Sequence, residues 1–108
     1  MLKLILPATI MSPNKRPKTN KVNASHSTVI GAAARVVDRA QRMPQVSKIS
    51  LGIIIPIRGP RKAFKIQTIT GGIKAIVQGG GAVQELYIYT SDPEYVEKVL
   101  EEFFYNSN

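Results

Sequence analysis

Three sets of side chains in this sequence are of types that do chemistry: one histidine, one carboxylate inside a strand, and an alternating tyrosine pair among lysines. His26 is the only histidine and cysteine is absent. A zinc set, a thiol nucleophile and a disulfide framework are therefore excluded. Glu85 is the single acid in the strand-forming region, and by alternation it shares a face with Tyr87. A carboxylate there has the chemistry of a general base, but pairing with a neighbouring lysine across the sheet is the simpler role. Nothing completes a catalytic constellation around it, so the sequence predicts a non-enzyme with no cofactor. Tyr87 and Tyr89 offer flat, amphipathic rings of the kind on which unpaired bases stack.

Charge points the same way. Through residue 84 there are fourteen Lys and Arg against one acid, Asp38, and from Glu85 onward six acids against one base, Lys98. The two parts carry +13 and −5, which sum to the net +8. Polarisation of that size speaks about partners, and the simplest partner for the basic part is a polyanion. Residues 12–24 contain two prolines, the bases Lys15, Arg16, Lys18 and Lys21, and no acid. Such a segment buries too little apolar surface to offset its ordering entropy. The sequence thus divides into a flexible basic arm, 1–24, and one domain, 25–108.

The domain is long enough for one modest two-layer core. Val29, Ala33, Val36, Val37 and Ala40 recur at helical spacing and predict a helix over 28–42, stopped by Pro44. Arg35, Arg39 and Arg42 lie on its outer side, with Asp38 placed to pair with Arg42. A strand follows over 49–57, with Ile49, Leu51, Ile53, Ile55 and Ile57 on one face and Ile54 on the other. Pro56 makes this an edge or a strand exit. The basic turn with Arg58, Arg61 and Lys62 leads to a strand over 63–70. Gly71-Gly72 reads as a two-residue hairpin turn into a strand over 73–78, pairing Thr70 with Ile73 and Ile66 with Val77. Phe64, Ile66, Ala75 and Val77 then share the core face, and Lys65, Gln67, Ile69, Lys74, Ile76 and Gln78 the other. Gly79-Gly80-Gly81 connects flexibly to a strand over 83–90. Ser91 or Asp92 caps a last helix with Pro93 in its first position and Tyr95, Val96, Val99, Leu100 and Phe103 buried. The expected fold is α+β: a four-stranded antiparallel sheet with two helices on one face, in the order α-β-β-β-β-α.

Other features are less specific. Ser25, Ser27 and Thr28 at the predicted helix start would seat an anion, although ordinary capping needs only one of those hydroxyls and is the simpler account. The glycine run 79–81 lacks the strand-to-helix context and the Lys-Ser/Thr ending of a phosphate loop. The apolar patch at Leu2, Leu4, Ile5 and Leu6 is too short and too interrupted for a signal sequence. No apolar run approaches the ~20 residues of a membrane span. A cytoplasmic protein with no membrane partner is the expectation.

The stretches Asn-Ala-Ser-His-Ser-Thr-Val-Ile-Gly-Ala-Ala at 23–33, Pro44-Gln45-Val46, Gly52-Ile53-Ile54 and Gly81-Ala82-Val83-Gln84-Glu85 together resemble an uncharacterised prokaryotic family described as predicted metal-binding protein of unknown function. The resemblance covers about residues 22–105. It implies His26 and Glu85 as the matching positions with ligand chemistry. Without cysteine or a second histidine, an oxygen-liganded metal, or none, fits the chain better than a tight transition-metal site.

The sequence therefore predicts a non-catalytic nucleic-acid-binding protein, RNA ahead of DNA. Lys15, Arg16, Lys18, Lys21, Arg58, Arg61, Lys62, Lys65 and Lys74 would track phosphates, with Tyr87 and Tyr89 stacking bases. The alternative is a protein-interaction module, dimeric through Ile54, Ile69, Ile76 and the tyrosines, that docks on an acidic protein partner or a larger complex. Metal binding ranks third.

Overall fold

The computed structural model describes residues 29–106. The elements are α1 (Ala32–Gln41), β1 (Val46–Pro56), β2 (Ala63–Ile69), β3 (Gly72–Gly79), β4 (Ala82–Thr90) and α2 (Pro93–Asn106). The strands form one antiparallel sheet in the order β1-β4-β3-β2, with both helices against one face. The fold is α+β, as the alternation and helical spacing predict. No helix among the described residues is long and apolar enough to cross a membrane.

One layer of apolar side chains joins sheet and helices. Val36, Val37 and Ala40 of α1 and Val96, Leu100 and Phe104 of α2 close over Ile49, Phe64, Ile73, Ala75, Val77, Leu86 and Ile88, all buried. Phe64 and Phe104 stack with centroids 5.0 Å apart. In α2 the buried stripe is Val96, Leu100, Phe104. Tyr95, expected inside, is exposed, and Phe103 is only half-buried. Positions 96, 100 and 104 keep one four-residue ridge against the sheet, which turns 95 outward. Asp92 starts this helix: its carboxylate accepts from the Tyr95 amide at 3.4 Å, and its carbonyl from Val96 at 3.1 Å.

The first helix begins later than its hydroxyls suggest. Its N-cap is Gly31, at φ 65°, with no side-chain cap. A Cβ there would stand 2.5 Å from the Gly79 carbonyl oxygen, so only glycine lets the helix start sit against the β3–β4 turn. Residues 25–28, the expected caps, lie outside the described residues, as does the proposed arm over 1–24.

Register differs from expectation in two places. In the β2–β3 hairpin Ile69 pairs with Gly72 and Ile66 with Ala75, so Thr70-Gly71 forms the turn and the register slides by two. An even slide preserves faces, and Phe64, Ile66, Ala75 and Val77 remain together on the helix side. In β1, Leu51 pairs with Leu86 but Ile54 with Gln84. Two residues, Gly52 and Ile53, oppose the single Glu85: a β-bulge. An odd insertion exchanges faces. Ile54 therefore joins Gln84 on the helix side, whereas Ile53 and Ile55, expected in the core, are 61% and 50% exposed.

β1 and β2 occupy opposite edges of the sheet. Segment 57–62 is thus not a hairpin turn. It spans the end of the sheet past the Gly80-Gly81 turn, where the Ile57 amide donates to the Gly81 carbonyl at 2.9 Å.

Candidate functional site

The sheet face away from the helices carries an ordered array. Directly paired residues share a face, so the pairings read as rows across β1, β4, β3 and β2. One row is Lys48, Tyr89, Gly72, Ile69 and the next is Ser50, Tyr87, Lys74, Gln67. The third places Glu85, Ile76 and Lys65 in line, with the bulge at Gly52 on the β1 side, and the last is Ile55, Val83, Gln78, Ala63. Both tyrosines stand on β4, an inner strand, two residues apart and half-buried.

Glu85 organises the centre. The Tyr87 hydroxyl donates to Glu85 Oε1 at 2.9 Å, and Lys74 Nζ lies 3.3 Å from Oε2. The carboxyl is held below its usual range, chiefly by the Tyr87 hydrogen bond, against the opposing effect of burial and with further help from the Lys74 ammonium. The same hydrogen bond, then burial and the carboxylate charge, push the Tyr87 hydroxyl above its ordinary value. Each ring has a lysine beside it: Lys74 Nζ is 5.8 Å from the Tyr87 centroid, and Lys48 Nζ 5.5 Å from that of Tyr89.

The bulge positions the Tyr87 ring. A Cβ on Gly52 would stand 2.9 Å from Tyr87 Cε2 and 2.8 Å from Glu85 Cβ. The missing side chain lets the ring lean over the β1 backbone toward Glu85. Beside Tyr89, the paired position is Gly72, so no side chain fills that place in the row.

Of the residues predicted from sequence, the fold brings Lys65, Lys74, Tyr87, Tyr89 and Glu85 onto this one face. Lys48 belongs with them and sequence reasoning missed it, because the strand begins at Val46 and not at 49. Gly52 was missed too, although a lone glycine inside a strand pattern is the standing signal for a bulge. Arg58 and Arg61 are exposed on the connection at the sheet end. Lys62 departs from the expected track: its ammonium lies over the Phe104 ring at 5.1 Å, on the side of the helices. With Arg35, Gly31, Pro60, Gly79 and Gly80 it lines a separate cleft of about 580 Å³. Arg42 pairs with Asp38 at 3.3 Å on α1, as their spacing predicts. The bases thus divide between two sides of the molecule, and one continuous track from Arg58 to Lys74 does not form. Lys15, Arg16, Lys18, Lys21, Ser25, His26, Ser27 and Thr28 lie outside the described residues.

This is a small α+β protein whose polar and aromatic sheet face is covered by neither helix among the described residues. The model of a family described as "Predicted metal-binding protein (DUF2103)" matches residues 17–103, and the chain belongs to that family. No curated protein and no solved structure matches it. The family description implies a metal, which the described residues do not fit. No three His, Cys, Asp or Glu side chains gather among them. The carboxylate of Glu85 is already paired with the Lys74 ammonium.

Proposed function

We propose that the protein binds single-stranded nucleic acid, RNA ahead of DNA, on the open face of its sheet. The observation that carries this reading is the adjacency of Tyr87 and Tyr89 on an inner strand, each with a lysine at its ring. Aromatic rings on an uncovered sheet stack bases whatever their identity, and flanking ammonium groups meet phosphates. Lys48 and Lys65 stand on the two edge strands and, with the arm's four bases, would take phosphates, while Lys74 is paired with Glu85. RNA leads because unstacked bases suit such a surface better than a duplex does. The acids of α2, Glu94, Glu97, Glu101 and Glu102, belong to the other layer and would turn a polyanion toward the sheet.

Fluorescence anisotropy with single-stranded RNA, single-stranded DNA and duplex tests this. Single strands are expected to bind more tightly than duplex. Six to eight phosphate contacts would give log K against log salt a slope of about −4 to −6. Tyr87→Ala with Tyr89→Ala should weaken binding by about tenfold or more, at about 1–3 kcal/mol per stacked base. Affinity independent of salt would remove the reading.

A second reading draws on Ile53 and Ile55, exposed at the margin of the same face. Apolar side chains there suit a protein contact, including a second copy of the chain. Light scattering on Ile55→Glu and Ile76→Glu decides: a dimer that dissociates supports it, and a monomer throughout removes it.

A further inference from the structure

We propose that Glu85 selects the base, favouring guanine over uracil at the position stacked on Tyr87. This rests on the single-strand reading above and assigns specificity to that surface.

Stacking alone is indifferent to base identity, because every base has a flat face. Discrimination needs a fixed donor or acceptor at the base edge. Among the described residues Glu85 is the one acid on the open face. Asp38 belongs to α1, and Asp92, Glu94, Glu97, Glu101 and Glu102 to α2 and the turn before it. Glu85 stands two residues from Tyr87 on the same strand and face, so a base lying on that ring turns an edge toward the carboxylate. The carboxylate is fixed in place by the Tyr87 hydroxyl on one oxygen and the Lys74 ammonium near the other. An ionised carboxylate has about four acceptor sites, so each oxygen retains capacity beyond its present partner. The side chain keeps 24% of its surface open to solvent.

The chemistry of the acceptor decides the rest. A carboxylate only accepts, and a pair of parallel donors suits it best. Guanine offers N1–H and N2–H side by side on its Watson–Crick edge. Adenine and cytosine offer an amino group next to a ring acceptor. Uracil offers one N3–H between two carbonyl oxygens, both of which the carboxylate repels. The expected order is guanine first, adenine and cytosine together, uracil last. The same negative charge keeps phosphates away from the centre, toward Lys48 and Lys65 at the two edges of the sheet.

Anisotropy with a short all-uridine RNA and the same strand carrying one central guanosine tests this. The intact protein should bind the guanosine strand about tenfold more tightly, within the range of one bidentate contact. Glu85→Gln places a donor where the acceptor was, and should reduce that preference to about twofold or less while still binding the all-uridine strand. Glu85→Asp keeps the acceptor and should keep the sign of the preference. Equal binding of the two strands by the intact protein, or a preference unchanged in Glu85→Gln, overturns the role of Glu85 and leaves the surface itself standing. Failure of the intact protein to bind either strand overturns both.

Discussion

The two faces of this sheet are built from the same four strands under opposite demands. On the covered face the β4 side chains Gln84, Leu86 and Ile88 are almost wholly enclosed, and the neighbouring strands answer them with Ala75, Val77, Ile73 and Ile49. On the open face the alternate residues of the same strand, Glu85, Tyr87 and Tyr89, are half-exposed and meet lysines. Packing explains the apolar members of the first set, since helices must bury their apolar stripes somewhere, and Gln84 is the one polar member enclosed with them. It does not call for the second, because a solvated face needs only to stay polar. A ring leaning over Gly52, a phenol bonded to a carboxylate and a lysine at each tyrosine are more order than solubility asks.

Substitutions on the two faces should therefore separate stability from binding. The largest stability effect belongs to the covered face: Leu86→Ala removes an enclosed side chain and should cost about 2–5 kcal/mol in denaturant unfolding. A smaller loss would mean that the helices rest loosely on the sheet. Gly52→Ala should cost less, about 1–3 kcal/mol, because its new methyl must displace Tyr87 or Glu85. It should also shift the ring resonances of Tyr87 in NMR spectra, and unmoved resonances would show that the glycine does not seat the ring.

The smallest effect is pH-dependent. The lowered pKa of Glu85 in the folded chain gives stability that is present above the unfolded value near 4.5 and is lost as pH falls through the folded one. The raised pKa of Tyr87 gives stability present below 10.0 and lost as pH rises through its folded value. The stability gap between the natural chain and Glu85→Ala should hold through neutral pH and shrink at both extremes. In that variant the Tyr87 phenol should titrate lower than in the natural chain. A gap independent of pH would show that the trio is not coupled in solution.

Much of this arrangement is legible in the sequence because alternation is a parity rule, and parity survives even slides. The hairpin register is off by two, yet Phe64, Ile66, Ala75 and Val77 still fall together. Parity fails at one inserted residue. The run from Ile49 to Ile57 reads as an unbroken alternation, and nothing but Gly52 marks where the bulge exchanges the faces of Ile53, Ile54 and Ile55. Lys62 was misplaced for a different reason: local pattern shows that a connection exists, not which strands it joins. A crossing from one sheet edge to the other carried that lysine to the helix side. The α2 stripe slipped from Phe103 to Phe104 because helical spacing tolerates both, and only the ring of Phe64 chooses between them.

The kink at Gly52 and Ile53 also governs what the outer margin of β1 can do. An eleven-residue strand at a sheet border is ordinarily an invitation to edge-to-edge growth, since the amides and carbonyls along such a border can template another chain. Here the ladder breaks partway along and Pro56 removes an amide at its close. A newcomer finds no straight rail, so this border is a poor template for a further strand.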